Sequence, residues 1–366
     1  MISLTDAVKE RLHMLRDVLR AEKLDAVVVT KEVNLHYFSG FRGDDTALVV
    51  TRKKALLITD NRYTEQAGQQ APLYKVVEQR HGLFKKTAKC LARIGVKRVG
   101  FEGAALSYNE YRQLKKLLSD RDIKLKKSLD LDILREVKDE LELAKLRKAC
   151  EIADAAFDDI VKFIRPGVTE LAVAAHLENT MRELGSEEPS FTTIVASGIR
   201  GSMPHATATT AEIQTGDFVT MDYGAVYDGY HSDITRTVCV GAASDRQKEL
   251  YHAVLETQQS VLPLIKTGAS GRDVHMAAVA NLKKYDLAQY FGHGLGHSVG
   301  LEIHEEPRLS PSSTCESLLP GMVITDEPGV YLPGYGGLRI EDSVLVTDEG
   351  GEPLTKSAKE LIEIRF

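Results

Sequence analysis

Two carboxylates, Asp222 and Asp233, lie in VTMDYGAVYDGYHSDITRTV (219–238) at a spacing that lets them share a cation. Asp228-Gly229 sits between runs rich in Val, Thr and Tyr, and Asp-Gly is a strong two-residue hairpin signal. With the turn there, Tyr227 pairs with Tyr230, Val226 with His231, Gly224 with Asp233 and Asp222 with Thr235. Side chains alternate faces along a strand, so Asp222, Thr235 and Asp233 share one. The carboxylates become diagonal neighbours, roughly 7–8 Å apart at the backbone. Like charges that close repel unless a cation lies between them. On this stretch alone, two solvated carboxylates on an exposed face is an equal reading. His231 falls on the Asp233 side of the same hairpin, and its role is open.

A second pair of acids has the same logic. In MVITDEPGVYLPGYGGLRIEDSVLVT (322–347), Pro333 to Gly337 forms a turn between two β-rich runs, and the midpoint of Glu327 and Glu341 is 334. A symmetric hairpin therefore sets the two glutamates opposite each other, with Arg339 on the Glu341 face. A surface cross-strand salt bridge is the plain alternative; the apolar flanks Val323-Ile324 and Val344-Leu345-Val346 weigh against it. The third chemical stretch is FGHGLGHSVGLEIHEEP (291–307), carrying His293, His297 and His304. Its four glycines make a helix improbable, since each costs ~1 kcal/mol relative to Ala, and it is not a His-Glu-x-x-His zinc helix. An extended segment that brings backbone close to a neighbour and turns His297 and His304 into a cleft is expected instead. His205 stands apart, in the loop GSMPHATAT.

Pooled, Asp222, Asp233, Glu327, Glu341 and His297 carry too much negative charge to be buried without cations. Two divalent ions would neutralise it. The donors are oxygen with one nitrogen and no sulfur, which suits Mn²⁺ or Co²⁺, with Zn²⁺ possible. Two such ions ~3.5–4 Å apart can lower the pKa of a shared water at neutral pH.

The elements that must hold these residues differ between the two parts of the chain. Residues 1–130 alternate helix and strand: a helix over 5–22, a buried strand at 24–30, a strand pair 47–50 and 55–59, a helix near 82–94, a strand at 96–100 and a helix near 107–119. This predicts an α/β domain with a mixed sheet. His13, His36 and His81 lie here without acidic neighbours and read as surface or core histidines. The second domain, 131–366, is expected to be α+β. It opens with a long helix from about 136 to 164, stopped by Arg165-Pro166-Gly167. A helix from Thr169 to near Gly185, a strand over 190–198 and helices near 244–265 and 270–285 complete the frame.

With 366 residues, 27% charged and 43% hydrophobic, the chain fits two globular domains with substantial cores. A net charge of −6 without a long basic block argues against nucleic acid or an anionic membrane as the main partner. No apolar run nears the ~20 residues that span a bilayer, and the N-terminus is an amphipathic helix rather than a signal peptide. Four scattered cysteines exclude a thiolate zinc site by spacing and fit a reducing cytoplasm.

Residues 186–366 resemble the pita-bread metallopeptidases, the family of methionine aminopeptidase, aminopeptidase P and prolidase. Asp222 in MDYGA, Asp233 in YHSDITRT, His297 in GHGLGHSVG, Glu327 in TDEPGVY and Glu341 in RIED match its five metal-ligand positions. The motifs PHA at His205, HEEP at His304 and RIED at Arg339 are similar to the proline-specific branch, and NLHYFSGFRGDDTALVVT (34–51) is similar to the creatinase/prolidase N-terminal domain. The resemblance implies that Asp222 binds one metal through both oxygens, Asp233 and Glu341 bridge, and His297 and Glu327 complete the second. It also implies catalytic roles for His205, His304 and Glu327, substrate contacts for His205, His293, His304 and Arg339, and a homodimer. The expected activity is release of the N-terminal residue from Xaa-Pro, favoured as a dipeptidase, with aminopeptidase P acting on longer peptides as the alternative. A metal-free creatinase-like amidinohydrolase or a non-catalytic binding module would be marked by lost ligands, and none is lost.

Overall fold

The computed structural model describes residues 3–366 and divides into two compact units, one ending at Arg135 and the other beginning at Glu136. The first unit runs α1 (Leu4–Ala21), β1 (Ala26–Val29), α2 (Glu32–Ser39), β2 (Ala47–Thr51), β3 (Ala55–Thr59), α3 (Thr64–Gln70), β4 (Lys75–Glu78), α4 (Leu83–Ile94), β5 (Arg98–Phe101), α5 (Tyr108–Ser119) and β6 (Lys124–Ser128). The strands form one sheet in the order β4-β3-β2-β1-β5-β6. β1, β2 and β3 pair antiparallel, whereas β5, β6 and β4 join in parallel, so the sheet is mixed as expected. The strand pair turns at Arg52-Lys53-Lys54, with Leu48 opposite Leu57. Buried Val28, Val49 and Ile58 pack with Ala88, Leu91, Leu114 and Leu118 of α4 and α5.

Three elements of this unit escape the sequence reading. α2 is a helix of eight residues, ended by Gly40 at φ 78°. It holds Val33, Tyr37 and Phe38, which are indifferent helix formers, and is kept by burial of Leu35, Tyr37 and Phe38. α3 is shorter and contains Gly68, and β4 lies at the sheet edge half exposed.

The second unit runs α6 (Glu140–Phe163), α7 (Glu170–Glu183), β7 (Ile194–Ser197), β8 (Phe218–Tyr223), β9 (Val226–Tyr227), β10 (Tyr230–His231), β11 (Ile234–Val240), α8 (Asp245–Val261), α9 (Gly271–Lys283), β12 (Gly296–Ser298), β13 (Glu305–Leu309), β14 (Val323–Asp326), β15 (Gly329–Leu332), β16 (Gly336–Arg339), β17 (Asp342–Val346), β18 (Gly351–Pro353) and β19 (Glu363–Ile364). Two sheets carry it, β19-β11-β8-β7 and β13-β12-β14-β17-β18. Helices α6 and α7 bury Ile152, Phe157, Val173 and Leu177 against Val195, Val219 and Met221 of the first sheet. Helices α8 and α9 bury Leu250, Val254, Val274 and Leu282 with Ile324 and Val344 of the second. This is the expected α+β pita-bread arrangement, a helix pair and a sheet in each half. A backbone bridge between Thr235 and Glu341 stitches the halves together.

The boundaries shift where local chemistry decides them. The long helix starts only at Glu140, because Asp139 caps it in a reciprocal box with Glu142. The strand expected over 190–198 shrinks to Ile194–Ser197, since Ser190 donates its N–H to the Gly224 carbonyl (2.9 Å) rather than to a strand partner.

Candidate metal centre

The first hairpin turns at Asp228 (φ 47°) and Gly229 (φ 81°), the left-handed pair that a type I′ turn requires. Tyr227 faces Tyr230, Val226 faces His231, and Asp222 faces Thr235. The ladder opens at Gly224 and Asp233, where Ser343 Oγ takes the Asp233 N–H (3.3 Å). That gap turns the Asp233 carboxylate inward. In the second hairpin, every pair from Val323↔Leu345 to Leu332↔Gly336 is symmetric about Gly334. Glu327 and Glu341 lie between its two paired stretches, where the strands open. His297 is set by a close backbone approach. A Cβ on Gly296 would lie 1.9 Å from the Thr325 carbonyl oxygen, so only glycine fits.

These segments converge on one cleft of about 410 Å³, within the range of small-molecule sites. Asp222, Asp233, His297, Glu327, Glu341, His205, His293, His304 and Arg339 all line it. Ligand atoms of Asp222, Asp233 and Glu341 lie within 4.8 Å of one another. His297 Nε2 is 3.5 Å from Asp233 Oδ2 and 3.6 Å from Glu327 Oε1. His297 Nδ1 faces the Ser298 carbonyl (3.1 Å), and a proton there leaves the Nε2 lone pair toward the acids.

Electrostatics show what this costs without a cation. Burial, then the charges of Glu341 and Asp222, raise the Asp233 carboxyl well above its ordinary range. Burial and then Glu327 do the same to Glu341. Burial lifts Glu327 from 4.5 to about 7. Burial also drives His297 down to about 3 and His293 to about 4, so both imidazoles are neutral ligands or acceptors at pH 7. Arg339, 3% exposed, offsets part of the charge: it bonds Asp222 Oδ2, and its Nε lies 4.0 Å from Glu341 Oε2. Asp222 Oδ1 and Asp233 Oδ1 are buried with no hydrogen-bond partner among the described residues. Orphaned, mutually repelling oxygens beside a neutral imidazole fit divalent cations.

The description Metallopeptidase family M24 matches residues 144–348. The chain belongs to this family. The Creatinase/Prolidase N-terminal domain matches residues 11–137 of the same M24 chain. An Xaa-Pro dipeptidase from Pyrococcus horikoshii is 38% identical over 98% of this chain and 100% of its own. Among solved structures, an Xaa-Pro dipeptidase from Bacillus anthracis aligns at 42% identity and TM-score 0.93, covering 97% of this chain and 99% of that one. An X-Pro aminopeptidase from Thermotoga maritima aligns at 35% and 0.89, covering 96% and 99%.

The M24 site has supporting contacts that the sequence reading did not supply. Thr235 Oγ1 donates to Glu341 Oε2 (2.5 Å) and accepts from Arg339 Nε (3.0 Å). Thr325 Oγ1 accepts the His297 N–H (3.0 Å) and donates to Glu327 Oε1 (3.0 Å), tying two candidate ligands together. The Tyr331 hydroxyl bridges Arg339 Nη1 (2.6 Å) and His293 Nε2 (2.9 Å). Strand alternation puts Thr235 on the acidic face but does not name its partners; nothing in spacing distinguishes Tyr331 from other tyrosines. Phe191, Ile194 and Ile303 give the cleft an apolar wall, and Arg308 gives it a second guanidinium. His231 lies off the cleft lining, with Nδ1 2.9 Å from Ser190 Oγ.

Proposed function

We propose that this M24 metallopeptidase is an Xaa-Pro dipeptidase that holds two divalent ions, Mn²⁺ foremost with Co²⁺ or Zn²⁺ as substitutes. The observation that carries the reading is the convergence of five candidate ligands with His205, His304 and Arg308 on one cleft. The residues to hold the ions are Asp222, Asp233, Glu341, His297 and Glu327. Bound there, the ions supply the Lewis-acid chemistry that polarises a carbonyl and acidifies water.

The chain's own residues do the rest. Glu327 Oε1 is engaged by Thr325, which leaves Oε2 to take the proton of the attacking water. A C–O bond forms at the carbonyl before proline and the C–N bond breaks. The imide nitrogen has no N–H, so it must gain a proton to depart as a secondary amine, and Glu327 returns the one it took. His304, whose ring centre lies 4.4 Å from that of His297, and His205 donate to the oxygen as it gains charge. His293, kept neutral, lines the cleft and is held from behind by the Tyr331 hydroxyl.

The dipeptidase is preferred over aminopeptidase P because of Arg308. Arg339 is occupied by Asp222, Thr235 and Tyr331. Arg308 is the other guanidinium on the cleft; its Nε meets the exposed Glu306 carboxylate (3.2 Å), a solvated pair that a dipeptide's proline carboxylate can replace or share. Aminopeptidase P remains the second reading, supported by the Thermotoga maritima neighbour. Four unpaired cysteines support a cytoplasmic enzyme; the homodimer rests on the resemblance alone. Chelated protein reloaded with Mn²⁺ is to be assayed on Ala-Pro and Ala-Pro-Ala. Higher kcat/KM on Ala-Pro is expected. Faster cleavage of Ala-Pro-Ala selects aminopeptidase P, and activity untouched by exhaustive chelation removes the metal reading.

A further inference from the structure

The bend that leaves β12 and re-enters at β13 carries His304 at the cleft, and its inner side is built on a buried charge. Glu305 is 7% exposed, whereas the adjacent His304 is exposed. Glu305 Oε1 accepts the N–H of Glu302 (3.2 Å). Its carboxylate packs so tightly on Gly300 that a Cβ there would come within 2.6 Å of Oε2. The Gly300 carbonyl is held in turn by the His231 N–H (2.8 Å).

The counter-ion comes from another part of the unit. Lys138 precedes α6, is 4% exposed, and sets Nζ 3.1 Å from Glu305 Oε2. Nζ also donates to the Glu136 carbonyl (3.2 Å) and reaches Ser298 Oγ (3.5 Å), while the Lys138 N–H bonds the Gly321 carbonyl (2.9 Å). Ser298 follows His297 and donates to the Val323 carbonyl (2.8 Å). The ammonium is thus fixed at both ends, to the strand of His297 and to the bend of His304.

Buried ion pairs are a weak source of net stability, because desolvation offsets the attraction, yet removing one partner is strongly destabilising. Such a pair fixes geometry more than it adds free energy. We infer that Lys138 is a positioning residue: through Glu305 it sets His304 over the cleft, while the acidic cluster does not depend on it. This rests on the proposed role of His304 toward substrate. Nothing in the motif carrying Lys138 marks it for that task, since Val137-Lys138-Asp139 reads as a helix entry.

The test is a double-mutant cycle on Mn²⁺-loaded protein. Lys138→Met is expected to lower kcat/KM for Ala-Pro by about 10–100-fold with bound metal per chain unchanged, the range that lost support of an active-site group produces. In a His304→Ala background the same change is expected to cost less than about 3-fold, because the residue it acts through is gone. Equal losses in both backgrounds, or loss of metal, overturn the inference. Glu305→Gln keeps the acceptor for Glu302 and covers the case in which Lys138→Met fails to fold; its loss of kcat/KM must also vanish with His304→Ala. A readout free of activity is the His304 ring signal in ¹⁵N-histidine-labelled protein, which is expected to shift in Lys138→Met and Glu305→Gln. An unshifted signal overturns the inference even in a protein that cleaves no Xaa-Pro peptide, whereas absent cleavage with a shifted signal counts against the functional reading alone.

Discussion

Glu327→Gln separates the charge of the acidic cluster from its shape, and its effect must change sign with metal. In the metal-free protein Glu327 titrates near 7, raised from 4.5 chiefly by burial. A carboxyl whose folded pKa lies above its unfolded value contributes stability that is complete below the unfolded pKa and is lost as pH rises through the folded one. The window here is therefore about pH 4.5 to 7. At 1.36 kcal/mol per pKa unit, the penalty above that window is on the order of 3 kcal/mol. Buried His293 and His297 act the other way, since their lowered pKa values give stability that is present above 6.5 and lost as pH falls. A pH scan of one protein mixes the two trends, and because Glu327 Oε1 lies 3.6 Å from His297 Nε2 the decisive comparison of wild type with Glu327→Gln is the one at pH 8, where both histidines are already neutral. Chelated Glu327→Gln is expected to match wild type near pH 4 and to melt about 6–12 °C higher at pH 8, taking 2–4 °C per kcal/mol for a unit of this size. Saturating Mn²⁺ reverses the order, because it stabilises only the protein that binds it well. Thermal unfolding at both pH values, with chelator and with Mn²⁺, reads all four states. If the chelated variant is no more stable at pH 8, or gains as much from Mn²⁺ as wild type, the crowded-acid argument is wrong.

Asp233→Asn removes another raised carboxyl at nearly constant shape; hydrolysis of Ala-Pro and full metal loading are expected to disappear while circular dichroism stays native, and a fully active variant refutes the ligand assignment. Thr325→Val deletes two hydrogen bonds, one to the His297 N–H and one to Glu327. Losing a partner that orients two candidate ligands predicts a roughly 10–100-fold weaker Mn²⁺ affinity by titration calorimetry. Unchanged affinity would show that Thr325 does not orient the pair.

Much of the site geometry could be read from the sequence because strands keep a strict period of two. Once Asp228-Gly229 fixes one turn and Gly334 another, the partners of Asp222 and Val323 follow by counting. Register alone does not fix a role where a ladder opens. His231 is in register with Val226 as counted, and its ring nitrogen meets Ser190 Oγ, a partner no strand count supplies. Short elements also resist counting. α2 is helical for tertiary reasons, since burial of Tyr37 and Phe38 outweighs their weak propensity.

The residues that stayed hidden share one property: their partners come from distant segments. Tyr331 reaches His293 and Lys138 reaches Glu305, each through a side chain whose local sequence explains it as ordinary strand or helix entry. Ligand residues are legible because charge cannot be buried casually, so acids on an apolar hairpin demand a reason. Hydroxyls and a single lysine make no such demand, being at home on any surface. In this fold the burial of Lys138 and Thr235 marks them as support for the site, and burial is a property of the assembled second unit rather than of any stretch of chain. The cleft therefore divides into a charged inner set that composition and register expose, and a neutral or paired outer set that only packing can reveal.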